Sequence, residues 1–124
     1  MKVVEVAEKI SSKVKTGILS NHSLEWFSWH LDQFRHAFKE ESLVIPSYQV
    51  NCYKPQREIY ELLISRVREC VGQEIEPSQI VFFDDKQVNV DKAKECGLNG
   101  FCFDRRKDSL QKMIEFLKKE GIDF

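Results

Sequence analysis

The chain has 124 residues, a formal net charge of −1, 42% apolar residues and 31% charged residues. That is the size of one domain with a sizeable core, and the near-even charge gives no bulk electrostatic case for nucleic acid or an anionic membrane. No apolar run approaches the ~20 residues that span a bilayer, and Met1-Lys2-Val3-Val4-Glu5 carries an early acid and no long apolar core, which argues against a secretory signal.

Taken in order, Val3, Val4, Val6, Ala7, Ile10 and Val14 repeat at mostly helical spacing and predict a first helix with one apolar face. Lys15-Thr16-Gly17-Ile18-Leu19 is a short strand, interrupted by Ser20-Asn21-His22-Ser23. Leu24, Trp26, Phe27, Leu31, Phe34 and Phe38 then predict a helix starting near Ser23. Ser20 and Asn21 would lie in a strand-to-helix turn, where backbone N–H groups and the helix dipole favour an anion. Leu43-Val44-Ile45-Pro46-Ser47 predicts an edge strand, because Pro46 cannot donate to a ladder. The residues from Tyr48 to Tyr53 read as loop, and Pro55, after Lys54, suits the first turn of a helix.

Ile59, Leu62, Leu63, Val67, Cys70 and Val71 form a helical stripe, with Gly72 near the expected C-cap. Ile80-Val81-Phe82-Phe83 is a strand apolar on both faces, and it runs into Asp84 and Asp85. Val88, Val90, Ala93 and Cys96 predict a helix ending at Gly97. Gly100-Phe101-Cys102-Phe103 is a last short strand, and Leu110, Met113, Ile114, Phe116 and Leu117 make an amphipathic final helix. A helix followed by four strand–helix alternations predicts an α/β fold: a mostly parallel sheet with helices on its faces.

Ligands of open parallel sheets bind off the carboxyl ends of the strands. Three polar positions fall there: Ser20, Lys54, and the pair Asp84 and Asp85. A hydroxyl beside a helix N-terminus can hold phosphoryl oxygens. An ammonium offsets phosphate charge, and paired carboxylates suit Mg²⁺. Other polar positions give weaker patterns. His30 and His36 fall on a helical pattern with aromatic residues, and no Cys/His cluster supports zinc. The run Arg105-Arg106-Lys107 is flanked by acids and reads as a solvated turn. The four cysteines form no C-x-x-C and predict reduced thiols in a cytoplasmic protein.

These motifs together resemble the haloacid dehalogenase (HAD) superfamily, in particular the group that includes the phosphatase domain of soluble epoxide hydrolase. Gly17-Ile18-Leu19-Ser20-Asn21-His22 is similar to the family's second motif, Lys54-Pro55 with Ile59-Tyr60 to its third, and Phe82-Phe83-Asp84-Asp85 with Asn89 to its fourth. The resemblance implies that Ser20, with Asn21 and His22 beside it, binds the transferring phosphoryl group. It implies that Lys54 steadies that group and the nucleophile. Asp85 would be the direct Mg²⁺ ligand, Asp84 its close support, and Asn89 would order the loop. The implied fold is a three-layer Rossmann-like core, and the implied substrate is a phosphorylated small molecule.

One motif of the family is absent. Its first motif is Asp-x-Asp after an N-terminal strand, supplying the nucleophile and the general acid/base, and no Asp-x-Asp occurs in the chain. The expectation is therefore a single, N-terminally truncated HAD-like core domain over 1–124. It would be inactive alone and bind Mg²⁺ weakly, because covalent catalysis needs the nucleophile. The alternative is a non-catalytic HAD remnant that binds a partner. A phosphoacceptor signalling domain fits less well, because its acids follow the first strand and its lysine comes last. The missing strand would leave the strands of the second and fourth motifs either paired directly or with open edges, and open edges invite self-association. The first helix would be free to move over the gap.

Overall fold

The computed structural model describes residues 3–21, 36–103 and 109–122. Helix α1 (Val3–Ile10) is followed by strand β1 (Ile18–Ser20) and strand β2 (Val44–Pro46). A short helical turn, α2 (Ser47–Val50), leads to the long helix α3 (Arg57–Val71). Strand β3 (Val81–Asp84), helix α4 (Gln87–Glu95), strand β4 (Asn99–Cys102) and helix α5 (Ser109–Lys119) complete the order. Among the described residues all strand pairing is parallel: β1 with β2, in register Ile18 to Val44, and β3 with β4, in register Val81 to Asn99. The parallel α/β architecture expected from the sequence is present.

Among the described residues the strands make two two-stranded sheets, β1–β2 and β3–β4, and β1 does not pair with β3. A shared core joins the halves. Ile45 of β2 packs in one cluster with Ile59, Tyr60, Leu63 and Ile64 of α3, Phe82 of β3, and Val90 and Ala93 of α4. Phe83 points the other way, into a second cluster with Val6 and Ile10 of α1 and Met113 and Leu117 of α5. Successive residues of a strand face opposite ways, so β3 is the wall between the two clusters. Helix α1 therefore belongs to the α5 side, packed on its own apolar stripe.

Several boundaries differ from the sequence reading for identifiable reasons. Strand β1 starts late because the residues before it are tied elsewhere: the Thr16 hydroxyl donates to the Ala37 carbonyl, and Lys15 pairs with Glu40. The segment read as loop contains α2, closed by Asn51 in the left-handed region (φ 61°), whose N–H reaches the Ser47 carbonyl. Helix α3 begins at Arg57 after a Gln56 N-cap, so Pro55 lies outside it, and the Lys54–Pro55 peptide is cis. Asp84 closes β3 within the ladder, because its carbonyl accepts the Phe103 N–H. Gly72 caps α3 as expected, its N–H bonded to the Arg68 carbonyl. The four cysteines are free and half-buried.

Gly17 shows how closely β1 and β2 approach. A Cβ there would lie 2.5 Å from the Leu43 carbonyl oxygen and 2.9 Å from Leu43 Cβ. Backbone cannot rotate out of the way, so Gly17→Ala is expected to cost about 1–3 kcal/mol, the usual range for overpacking. Urea unfolding reads this directly, and an unchanged midpoint would contradict the close approach.

Candidate active site

The site is built from the pleat of β3. Phe82 faces the larger cluster, so Asp84, two residues on, shares that face. Asp85 lies just beyond the strand and is exposed. Asp84 is buried and receives three hydrogen bonds. Lys54 Nζ donates to Oδ2 at 2.6 Å, Asn89 Nδ2 donates to the same oxygen at 3.2 Å, and the Lys86 N–H donates to Oδ1 at 2.9 Å. The Lys54 and Asp84 side chains are only 11% and 5% exposed, so this is an interior ion pair. Lys54 Nζ also lies 5.8 Å from the centroid of the Phe82 ring, within reach of its negative face.

Burial alone would push the Asp84 carboxyl up, but the hydrogen bond from Lys54, the Lys86 amide, the Lys54 charge and the Asn89 amide outweigh it. The group is held below its ordinary range. A depressed folded value means that the unfolded chain takes up the proton first. The stabilisation is complete above the unfolded carboxyl value of about 3.9 and is lost as pH falls through the folded one. The chain is accordingly expected to lose stability steeply below about pH 4, with Asp84→Asn flattening that limb. Thermal melts from pH 2 to 7 check this, and identical acid limbs in the two proteins would contradict it.

Asn89 is held from both ends. It lies in the first turn of α4, it donates to Asp84, and its carbonyl accepts the Tyr60 hydroxyl at 2.8 Å. The Tyr60 hydroxyl is pushed well above its ordinary value, first by burial and then by the nearby Asp84 charge, so it stays a neutral donor. Asn89 thus ties the turn after β3 to α3.

Ser20 ends β1 and is buried. Asn21 was expected beside Ser20 as a substrate contact, but it has other partners. Its Nδ2 donates to the Lys54 carbonyl at 2.9 Å, and its Oδ1 accepts the Lys54 N–H at 2.9 Å. His22 and His30 lie outside the described residues, as do Trp26, Phe27, Trp29, Phe34 and the run 105–107. His36 lies 3.3 Å from Glu8, in an exposed pair away from this cluster. The structure therefore gathers Lys54, Asp84 and Asn89 into one network, joins Asn21 to it through the Lys54 backbone, and leaves Asp85 at its rim.

Hard carboxylate oxygen suits Mg²⁺, which binds through one or two carboxylates and keeps several waters. Asp84 is already bonded on both oxygens, and Asp85 is the exposed carboxylate beside it. One exposed carboxylate is compatible in type with Mg²⁺, but among the described residues no group of three or more His, Cys, Asp or Glu side chains could hold a metal ion. No helix among them is long and apolar enough to cross a membrane.

No protein-family model matches the chain, and no curated protein matches it in sequence. Solved structures do match its shape. An uncharacterized protein from Corynebacterium glutamicum is 19% identical with a TM-score of 0.71, covering 98% of this chain and 82% of that one. A HAD family enzyme from Bacteroides thetaiotaomicron is 22% identical with a TM-score of 0.67, covering 85% of this chain. An aspartate-to-alanine mutant of that enzyme, in complex with magnesium and inorganic phosphate, is 22% identical with a TM-score of 0.64, covering 81%. The chain spans 51% of the length of each of these two enzyme chains. With parallel strands, flanking helices and these neighbours, the chain has an α/β, Rossmann-like fold similar to that of these HAD family enzymes.

Proposed function

We propose that this chain is the part of a HAD-like, Mg²⁺-dependent phosphohydrolase core that carries the second, third and fourth motifs, and that the nucleophile lies outside these 124 residues. The complete core would hydrolyse a phosphate monoester through an aspartyl-phosphate. The observation that carries this reading is the interior Lys54–Asp84 pair, bonded to Asn89 at the carboxyl end of β3 in a fold of this class. The finer likeness to the soluble epoxide hydrolase phosphatase group rests on the motif residues alone.

Each residue has a role that its surroundings allow. Lys54 presents a fixed positive charge at the strand ends, where phosphoryl oxygens would be held. Asp84 keeps that ammonium in place, and Asn89 keeps Asp84 in place. The Ser20 hydroxyl, at the end of β1, would hold a phosphoryl oxygen. Asp85 would be the direct Mg²⁺ ligand. The bound cation would neutralise phosphoryl charge.

The purified chain is expected to bind Mg²⁺ weakly and to turn over p-nitrophenyl phosphate negligibly. With millimolar Mg²⁺ and inorganic phosphate, amide resonances of Ser20, Lys54 and Asp85 should shift, and Asp85→Asn should remove the Mg²⁺-dependent part. Mg²⁺-dependent turnover abolished by Asp85→Asn would show that the nucleophile is within the chain after all. A second reading, a non-catalytic HAD remnant, is favoured by the absence of Asp-x-Asp. No resonance shift with Mg²⁺ and phosphate would support it, whereas an in-frame Asp-x-Asp upstream in the coding sequence would count against it. Self-association through strand edges belongs to the same proposal, since β1 and β3 do not pair with each other among the described residues. A monodisperse monomer by light scattering would contradict it.

A further inference from the structure

We infer that Asn21 is the positioning residue of this site: it fixes the Lys54 backbone so that the ammonium is delivered to its place at the strand ends, and it is not a ligand for substrate. The inference rests on the reading of Lys54 as the lysine of a phosphoryl site. It goes beyond that reading by giving Asn21 a role through Lys54.

The geometry is specific. Lys54 lies between two tyrosine- and proline-bearing positions in a segment without regular structure, after α2 and before α3. Its own peptide groups have no helix or ladder to bond with. Asn21 supplies both partners at once, accepting from the Lys54 N–H and donating to the Lys54 carbonyl, each at 2.9 Å. Of the short side chains only an Asn offers an acceptor and a donor side by side in one plane. Asp would accept the N–H but set a carboxylate against the carbonyl, and Ala would do neither. The amide orientation is fixed by the same pair, since the flipped amide would face donor with donor and acceptor with acceptor.

Two other facts extend the effect along the side chain. Asn21 directly follows the last residue of β1, so its Cα moves with the sheet. The far end of Lys54 is held by Asp84 and lies over Phe82 on β3. Asn21 at the backbone and Asp84 at the ammonium therefore hold Lys54 across the two sheets. With only one end fixed, a lysine side chain keeps several rotatable bonds and a substantial rotamer entropy. Fixing both ends selects one position for the charge.

Site-resolved labelling of lysines on the full chain with an amine-reactive reagent, followed by mass spectrometry, tests this without any need for phosphatase activity. Asn21→Ala should raise the labelling rate of Lys54 about tenfold, the factor expected from one or two net hydrogen bonds. Lys92, which is ion-paired with Glu95 outside the site, should label as before. Asn21→Asp, which keeps the acceptor and loses the donor, should give a smaller rise. An unchanged Lys54 rate in Asn21→Ala would overturn the inference. So would an equal rise at Lys54 and Lys92, because that reports a general loosening. If Asn21→Ala proves too unstable to label, hydrogen exchange of the Lys54 amide in the unmodified chain decides. Protection of the Lys54 amide above the unstructured rate is expected from its bond to Asn21 Oδ1, and exchange at the unstructured rate overturns the inference. Failure of the phosphatase reading would leave these readouts unaffected, so the two can fail separately.

Discussion

Lys54→Met is expected to destabilise the chain by about 3–5 kcal/mol, the usual consequence of removing one partner from an interior ion pair. Met keeps most of the apolar stem, so the loss reports the charge and its hydrogen bond. Asp84 would then be left almost fully buried with two donors, the Lys86 N–H and the Asn89 amide. Those two place the loss toward the lower end of the range, since the orphaned carboxylate is not bare. The effect should also depend on pH. With the ammonium gone, the Asp84 carboxyl takes up a proton more readily, so wild type and variant should converge as the solution is acidified and differ most at neutral pH. The double variant Lys54→Met/Asp84→Asn removes both charges and should cost clearly less than the sum of the singles, because buried pairs replaced together leave no stranded charge. Urea unfolding at pH 7 and pH 4 measures all of this. A loss below about 1 kcal/mol at pH 7, the scale of an exposed pair, would show that water reaches Lys54 and that the pair is not interior.

The same pair marks where the sequence ran out. Asp84 and Asp85 are adjacent, and nothing in their types says which one turns inward. The pleat decides it: Phe82 packs against Tyr60 and Ile45, so residue 84 shares its face and residue 85 passes out of the strand. That signal was present in the sequence only for a reader who already knew which face of Phe82-Phe83 meets the larger helix cluster. Parallel strands buried on both faces erase the alternation that would reveal it. The long helix was legible, because its stripe from Ile59 to Val67 repeats over about two turns, and so was the alternation of strand and helix. Asn21 was not. A short polar residue after a strand reads equally as a cap, an anion contact or a brace for distant backbone, and its partner lies 33 residues on. The sequence left open whether β1 and β3 would pair, and it did not place α1. Its stripe required only an apolar partner, and α5 supplied one.

Phe82→Ala is expected to be as damaging as loss of the Lys54 charge, at about 3–5 kcal/mol, for a different reason. The ring is buried, meets Tyr60 edge-on with centroids 5.7 Å apart, and lies below the Lys54 ammonium. It stands opposite Gly100 in the β3–β4 register, so no neighbouring side chain on that strand can fall into the space it leaves. The cavity would therefore persist, and its cost adds to the lost transfer energy. Phe82→Leu fills most of the volume and should cost about 1–2 kcal/mol, part of it the lost aromatic pairing. Coupling distinguishes this ring from its neighbour. Because Phe82 lies under Lys54, Phe82→Ala combined with Lys54→Met should cost less than the two singles added, by an interaction of about 0.5–3 kcal/mol. Phe83 packs against Phe101 and Phe116 in the other cluster, so Phe83→Ala combined with Lys54→Met should be additive within about 0.5 kcal/mol. If Phe83 rather than Phe82 proves coupled to Lys54, the strand faces opposite to the way described here, and Asp85 rather than Asp84 is the buried partner of the lysine.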